Sequence, residues 1–154
     1  MAHSVRRRLL APVLGAGLLL GAAVTPAAAM TQISLTGCAN AGGGEQHISA
    51  DFVYLKAGWI AKTKGQILAF QRSITWNVTV DGAPVDVTPF IVDPAKTADG
   101  WALWFYLPAG QLAFGDTMTA SVEYFLNRPV YDGYDTFPAG SLFTSECTIY
   151  ADVS

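Results

Sequence analysis

Hydrophobic and polar positions alternate along most of this chain with a period of two. Over 73–81, Ile74, Trp76, Val78 and Val80 fall on one side, and Thr75, Asn77, Thr79 and Asp81 on the other. Over 117–125, Met118, Ala120, Val122 and Tyr124 oppose Thr119, Ser121 and Glu123. Near the C-terminus, Ile149, Ala151 and Val153 oppose Thr148, Tyr150 and Asp152. Strands with one face on a core and one in water produce this pattern. No helical period is sustained after residue 30. The runs predict strands near 31–37, 47–56, 58–62, 66–71, 73–81, 84–92, 101–107, 117–126 and 142–153.

Turn residues separate the runs. Asp81-Gly82 between two strand-like segments predicts a tight hairpin. Asp99-Gly100, Gly115-Asp116, Asp132-Gly133 and the two Pro-Ala-Gly triplets at 108–110 and 138–140 mark further turns. Short strands between regular breaks predict an all-β domain, an immunoglobulin-like antiparallel β-sandwich of about seven to nine strands. No internal repeat or second domain is visible.

The first 29 residues follow a different rule. Arg6, Arg7 and Arg8 precede an apolar run over 9–24, and Ala27-Ala28-Ala29 offers a small-residue cleavage site. This is the pattern of a secretory signal peptide, and the arginines also fit a twin-Arg export signal loosely. The domain is therefore expected over 30–154, secreted to the extracellular side, with no transmembrane span in the mature chain. The leader holds three of the nine basic residues and no acidic one, which leaves the domain six basic side chains against twelve acidic. That balance argues against nucleic acid as a partner, because phosphates must be neutralised by Lys and Arg.

Cys38 and Cys147 are the only cysteines, and in an exported domain the pair predicts a disulfide. A second reading competes. Leu35-Thr36-Gly37-Cys38 has the shape of a lipobox, followed by a Gly-rich stretch over 39–44, so Cys38 is alternatively a lipid anchor at the cell surface. The two readings exclude each other.

Two aromatic groups are the candidate ligand contacts. On 101–107, Trp101, Leu103, Phe105 and Leu107 form one apolar side, yet the opposite side carries Ala102, Trp104 and Tyr106. Trp104 and Tyr106 are expected either under a loop or on display as a platform for a sugar ring or an apolar partner. The segment 128–140 interleaves Tyr131, Tyr134 and Phe137 with Asp132 and Asp135, a composition common in binding loops. The spacing of those aspartates matches no calcium loop, and neither a metal nor a cofactor is expected.

Catalytic signals are sparse. His47 is the only histidine after the leader, and no Gly-x-Ser-x-Gly elbow occurs. Asn77-Val78-Thr79 matches a glycosylation sequon on a strand. The expected function is non-catalytic: binding or cell-surface interaction with a protein or glycan ligand. The alternatives are a secreted hydrolase acting on polysaccharide or peptide, and a structural envelope component.

Two short resemblances accompany this reading. Trp101-Ala102-Leu103-Trp104-Phe105 with Pro108-Ala109-Gly110-Gln111 is similar to a stretch of bacterial cellulose-binding sandwich modules. Gly58-Trp59, Trp76-Asn77-Val78-Thr79, Val87-Thr88-Pro89 and Thr97-Ala98-Asp99-Gly100 resemble, in the same order, pieces of secreted mycobacterial immunogenic proteins of immunoglobulin-like fold. Both imply a sandwich, the second implies export as well, and neither carries a residue role to this chain.

Overall fold

Each of the long alternating runs becomes a strand with one face on a shared core, and together they make an all-β sandwich. The computed structural model describes residues 30–38 and 44–153; the leader expected over 1–29 lies outside them. In chain order the elements are β1 (Met30–Ser34), α1 (Leu35–Cys38), β2 (Glu45–Ser49), β3 (Asp51–Ala61), α2 (Lys64–Gln71), β4 (Ile74–Val80) and β5 (Ala83–Val85). Then follow β6 (Ala95–Thr97), β7 (Gly100–Leu112), β8 (Thr117–Leu126), β9 (Val130–Tyr131), β10 (Thr136–Phe137) and β11 (Leu142–Val153). One sheet has four strands in the order β1-β3-β7-β6, and the other has five in the order β2-β11-β8-β4-β5. Val53, Leu55, Ala57, Phe105 and Leu107 of the first sheet pack on Val78, Met118, Ala120, Val122 and Ile149 of the second.

Both sheets are mixed, where antiparallel pairing throughout was expected. β1 pairs parallel with β3, and β2 pairs parallel with β11. The N-terminal segment therefore gives one edge strand to each sheet. β1 is fastened by Thr31, whose hydroxyl donates to the carboxylate of buried Asp51 at 2.8 Å. Between the two strands, α1 buries Leu35 and Cys38. Cys38 is bonded to Cys147 on β11, with Cα atoms 5.7 Å apart and a sequence separation of 109. Closing a loop of that length stabilises the fold by about 4–5 kcal/mol on the chain-entropy model. The Ser145 hydroxyl also donates to the Leu35 carbonyl, holding α1 against β11.

Five expected strands take other forms. The strand predicted at 31–37 ends at Ser34, and Leu35–Cys38 form α1 instead. The strand predicted at 66–71 is helix α2. Thr63 caps it: its hydroxyl accepts from the Gln66 amide while the Gln66 side chain accepts from the Thr63 amide. This Thr-x-x-Gln capping box satisfies two end groups and favours helix over strand. Ile67 and Phe70, one helical turn apart, then bury against Ala61, Leu103, Leu126 and Val130. The strand predicted at 84–92 shortens to β5 and a 3-10 turn at Thr88–Phe90. Pro84 and Pro89 lack amide donors, and Asp86 accepts from the Thr88 amide at 2.9 Å in a local turn. The runs at 47–56 and 58–62 are instead divided at Ala50, where the chain leaves β2 in one sheet and enters the long β3 in the other.

The Asp81-Gly82 hairpin is as expected, with φ of 50° and 76°. Positive values at both central residues match the twist of the flanking strands.

Candidate functional site

The outward side of the four-stranded sheet brings together rings that stand apart in the sequence. Register places Tyr106 opposite Lys56, Trp104 opposite Gly58, and Gln32 opposite Tyr54. These residues share the side of the sheet that faces away from the core, because alternate residues point to opposite faces. Gly58 is the pivot. A Cβ there would stand 2.1 Å from both the Trp104 ring and the Leu103 carbonyl oxygen. The indole therefore lies over bare backbone, closer to the sheet than any side chain at residue 58 would permit. Lys56 reaches over it, its ammonium 4.2 Å from the Trp104 ring centre and 5.6 Å from that of Tyr106. Beside them is an open groove of about 530 Å³ lined by Met30, Gln32, Tyr54 and Tyr106.

This face holds unspent polar capacity. Among the described residues, neither the Tyr54 and Tyr106 hydroxyls nor the Lys56 ammonium makes a hydrogen bond or ion pair to the protein. All three are half-buried and reachable from solvent. With Lys56 swung aside from the Trp104 ring, the face can stack a flat apolar surface and hydrogen-bond the groups around its rim.

Tyr131 and Tyr134 lie elsewhere, in and just after β9. They are 57% and 55% exposed. Tyr134 leans on the end of the sheet: its hydroxyl donates to the Asp99 carbonyl at 2.5 Å, and Lys62 lies 5.9 Å from its ring centre. The four aromatic candidates thus form two groups, one along the sheet face and one at its end. Asp132 between the two tyrosines is buried. One of its oxygens accepts from the Tyr134 and Asp135 amides, and the other from the Trp59 indole at 3.1 Å. Trp59 in turn stacks on Phe70 at 4.8 Å and meets Phe137 and Phe143 edge-on, both at 5.2 Å. Asp132 therefore acts as a clip fixing its loop to the core, and metal-ligand clusters of three or more His, Cys, Asp or Glu are absent among the described residues.

His47 sits on edge strand β2. Its Nδ1 meets the Asp152 carboxylate at 2.8 Å, and its ring stacks on Tyr150 at 5.1 Å. Asn77 is exposed on β4 and donates to Glu123 at 3.4 Å. No helix among the described residues is long and apolar enough to cross a membrane.

No protein-family model, curated protein or solved structure matches this chain. The site therefore has to be read from its own geometry.

The sequence pattern singles out Trp104 and Tyr106 on this face and leaves out Lys56, Gly58, Tyr54 and Gln32 beside them. The signal was present as Tyr54-x-Lys56-x-Gly58-x-Ile60, the polar-side series of one strand. Placing a strand break at Ala57 split that series and hid the surface.

Proposed function

We propose that this protein is an exported, non-catalytic binding module that takes a glycan on the outward side of its four-stranded sheet. The observation that carries the reading is the Trp104 indole laid over Gly58 and flanked by Tyr106, Lys56 and the groove beside Tyr54. A pyranose ring has an apolar C–H side and a rim of hydroxyls. A half-exposed indole with free tyrosine hydroxyls, a lysine and a glutamine at its border suits both. A protein partner would use the same rings, but the polar groups interleaved among them favour the sugar.

Export rests on the leader pattern, and the buried Cys38–Cys147 pair is consistent with an oxidising compartment. That bonded, buried state also supports Cys38 as a structural residue over the lipid-anchor alternative. The immunoglobulin-like reading of the sandwich belongs to the same proposal and draws on its two-sheet build.

The test is affinity electrophoresis of the mature chain through gels cast with neutral and acidic polysaccharides. Retardation by at least one polymer, lost in Trp104→Ala with its melting temperature unchanged, is the expected result. Unretarded migration through every polymer overturns the glycan reading. Retardation that Trp104→Ala leaves intact moves the site off this face.

A further inference from the structure

Lys56 gives the face a sign. It stands on β3, the inner strand between β1 and β7, opposite Ser34 on one side and Tyr106 on the other. The outward positions of these three strands around it carry Gln32, Tyr54, Ile60, Trp104 and Pro108, and no carboxylate. Asp51, at the start of β3, is buried and engaged by Thr31. Among the described residues the one ion pair is His47–Asp152, on the other sheet. Lys56 is thus a cation held by ring faces alone. Those contacts attract its charge but satisfy none of its three N–H donors. The domain around it carries twice as many acidic as basic side chains. The acidic body repels polyanions overall and lacks the many cations a nucleic acid needs, so one lysine supplies only a local, salt-sensitive preference for a carboxylate beside the stacked ring.

We infer that the glycan is acidic, a uronic-acid-bearing polymer whose carboxylate meets the Lys56 ammonium while a sugar ring stacks on Trp104. This rests on the glycan reading above and adds the ligand's charge to it. The ring and the charge are read by adjacent side chains, so both must be present on neighbouring parts of one saccharide. Charge-assisted hydrogen bonds to the carboxylate would replace the cation–π contacts now occupying Lys56.

The experiment compares alginate, hyaluronate and polygalacturonate with their own methyl esters, which keep the sugars and remove the charge. Wild type, Lys56→Gln and Trp104→Ala are run at two salt concentrations, with tryptophan fluorescence as a second readout. The expected result is about five- to tenfold tighter binding of at least one free acid than of its ester. Lys56→Gln should erase that preference, so that acid and ester bind alike, whereas Trp104→Ala should weaken both forms and keep the acid preference. Equal binding of acid and ester, or an acid preference that survives Lys56→Gln, overturns the inference while leaving the glycan reading standing. Loss of all retardation, on neutral polymers as well, removes both.

Discussion

The two outward faces of this sandwich are written with the same alternation and differ in chemistry: the five-stranded sheet shows mainly hydroxyls, an amide and carboxylates, with Phe125 and Leu142 exposed at one end. On the five-stranded sheet, Thr75, Asn77 and Thr79 of β4 stand beside Ser121 and Glu123 of β8, with Thr144, Glu146 and Thr148 of β11 beyond them. Much of that polarity is spent internally. Thr79 and Ser121 share a hydrogen bond at 2.7 Å, Asn127 donates to the Thr75 hydroxyl at 2.8 Å, and Asp81 accepts from the Thr119 amide at 2.8 Å. Cross-strand pairs of this kind stabilise a sheet by about 0.2–1 kcal/mol each. On the four-stranded sheet the exposed groups are rings and a lysine whose hydrogen-bonding capacity faces outward unused. Exposure alone therefore does not mark a site. The β4–β8 part of one face satisfies much of its polarity within the sheet, whereas among the described residues the Tyr54, Tyr106 and Lys56 head groups of the other make no hydrogen bond to the protein.

The strongest way to break the contrast is at Gly58. Gly58→Val forces a Cβ into the Leu103 carbonyl and the Trp104 ring, and should cost about 3 kcal/mol or more, read by denaturant unfolding. A variant as stable as wild type would show that the indole does not lie over Gly58. Next in size is binding. Trp104→Ala should reduce polysaccharide affinity at least about tenfold, or about 1.4 kcal/mol, while the joint change Thr79→Val and Ser121→Ala on the opposite sheet leaves it unaltered. Equal losses from the two variants would erase the distinction between the faces.

A third effect comes from between the sheets. Tyr124 is buried beside Trp76 and Trp59, its hydroxyl turned toward the Gly58 backbone without reaching hydrogen-bond geometry. Burial pushes its phenol well above the ordinary value, outweighing the nearby Gly58 backbone. The unfolded chain ionises first, at about pH 10. The stability from keeping this phenol neutral is therefore complete below about pH 10 and is lost as pH rises toward the folded value, at up to about 1.4 kcal/mol per pH unit. Tyr124→Phe should flatten that part of an alkaline unfolding profile. An identical profile for wild type and variant would mean that the phenol is not held neutral. The smallest effect is on the five-stranded sheet. Thr79→Val with Ser121→Ala should shift stability by no more than about 1 kcal/mol, measured by melting.

The long strands of the five-stranded sheet are the easiest to read. β8 and β11 occupy 117–126 and 142–153, as their alternation predicts, because one side meets the core and the other meets water and its own hydroxyls. The outward face of the four-stranded sheet is harder to read. Aromatic residues there lie on both sides of β7, so the alternation of β7 and β3 separates core from surface less cleanly. Helix α2 was missed for another reason. Its eight residues are too short to show a helical period, and the capping box at Thr63 and Gln66 was its main mark. The grouping of Lys56 with Trp104 and Tyr106 depends on the pairing register of β3 with β7, which no single-strand pattern contains.

The bond between Cys38 and Cys147 has a mechanical consequence. Consider the domain pulled between Met30 and Val153. Force enters through β1 and α1 at one end and through the last part of β11 at the other, and the covalent bridge carries it directly between them. Only 30–37 and 148–153 lie outside the bridged loop, so the chain can lengthen by no more than about 50 Å before the load rests on covalent bonds. Once β1 has parted from β3, the bridged loop, including β7 and the Lys56–Gly58 part of β3, carries none of that tension. Should the domain be stretched between two anchors, it would shed β1, and with it the Met30 and Gln32 side of the groove, while Trp104, Tyr106 and Lys56 stay in place behind the bridge.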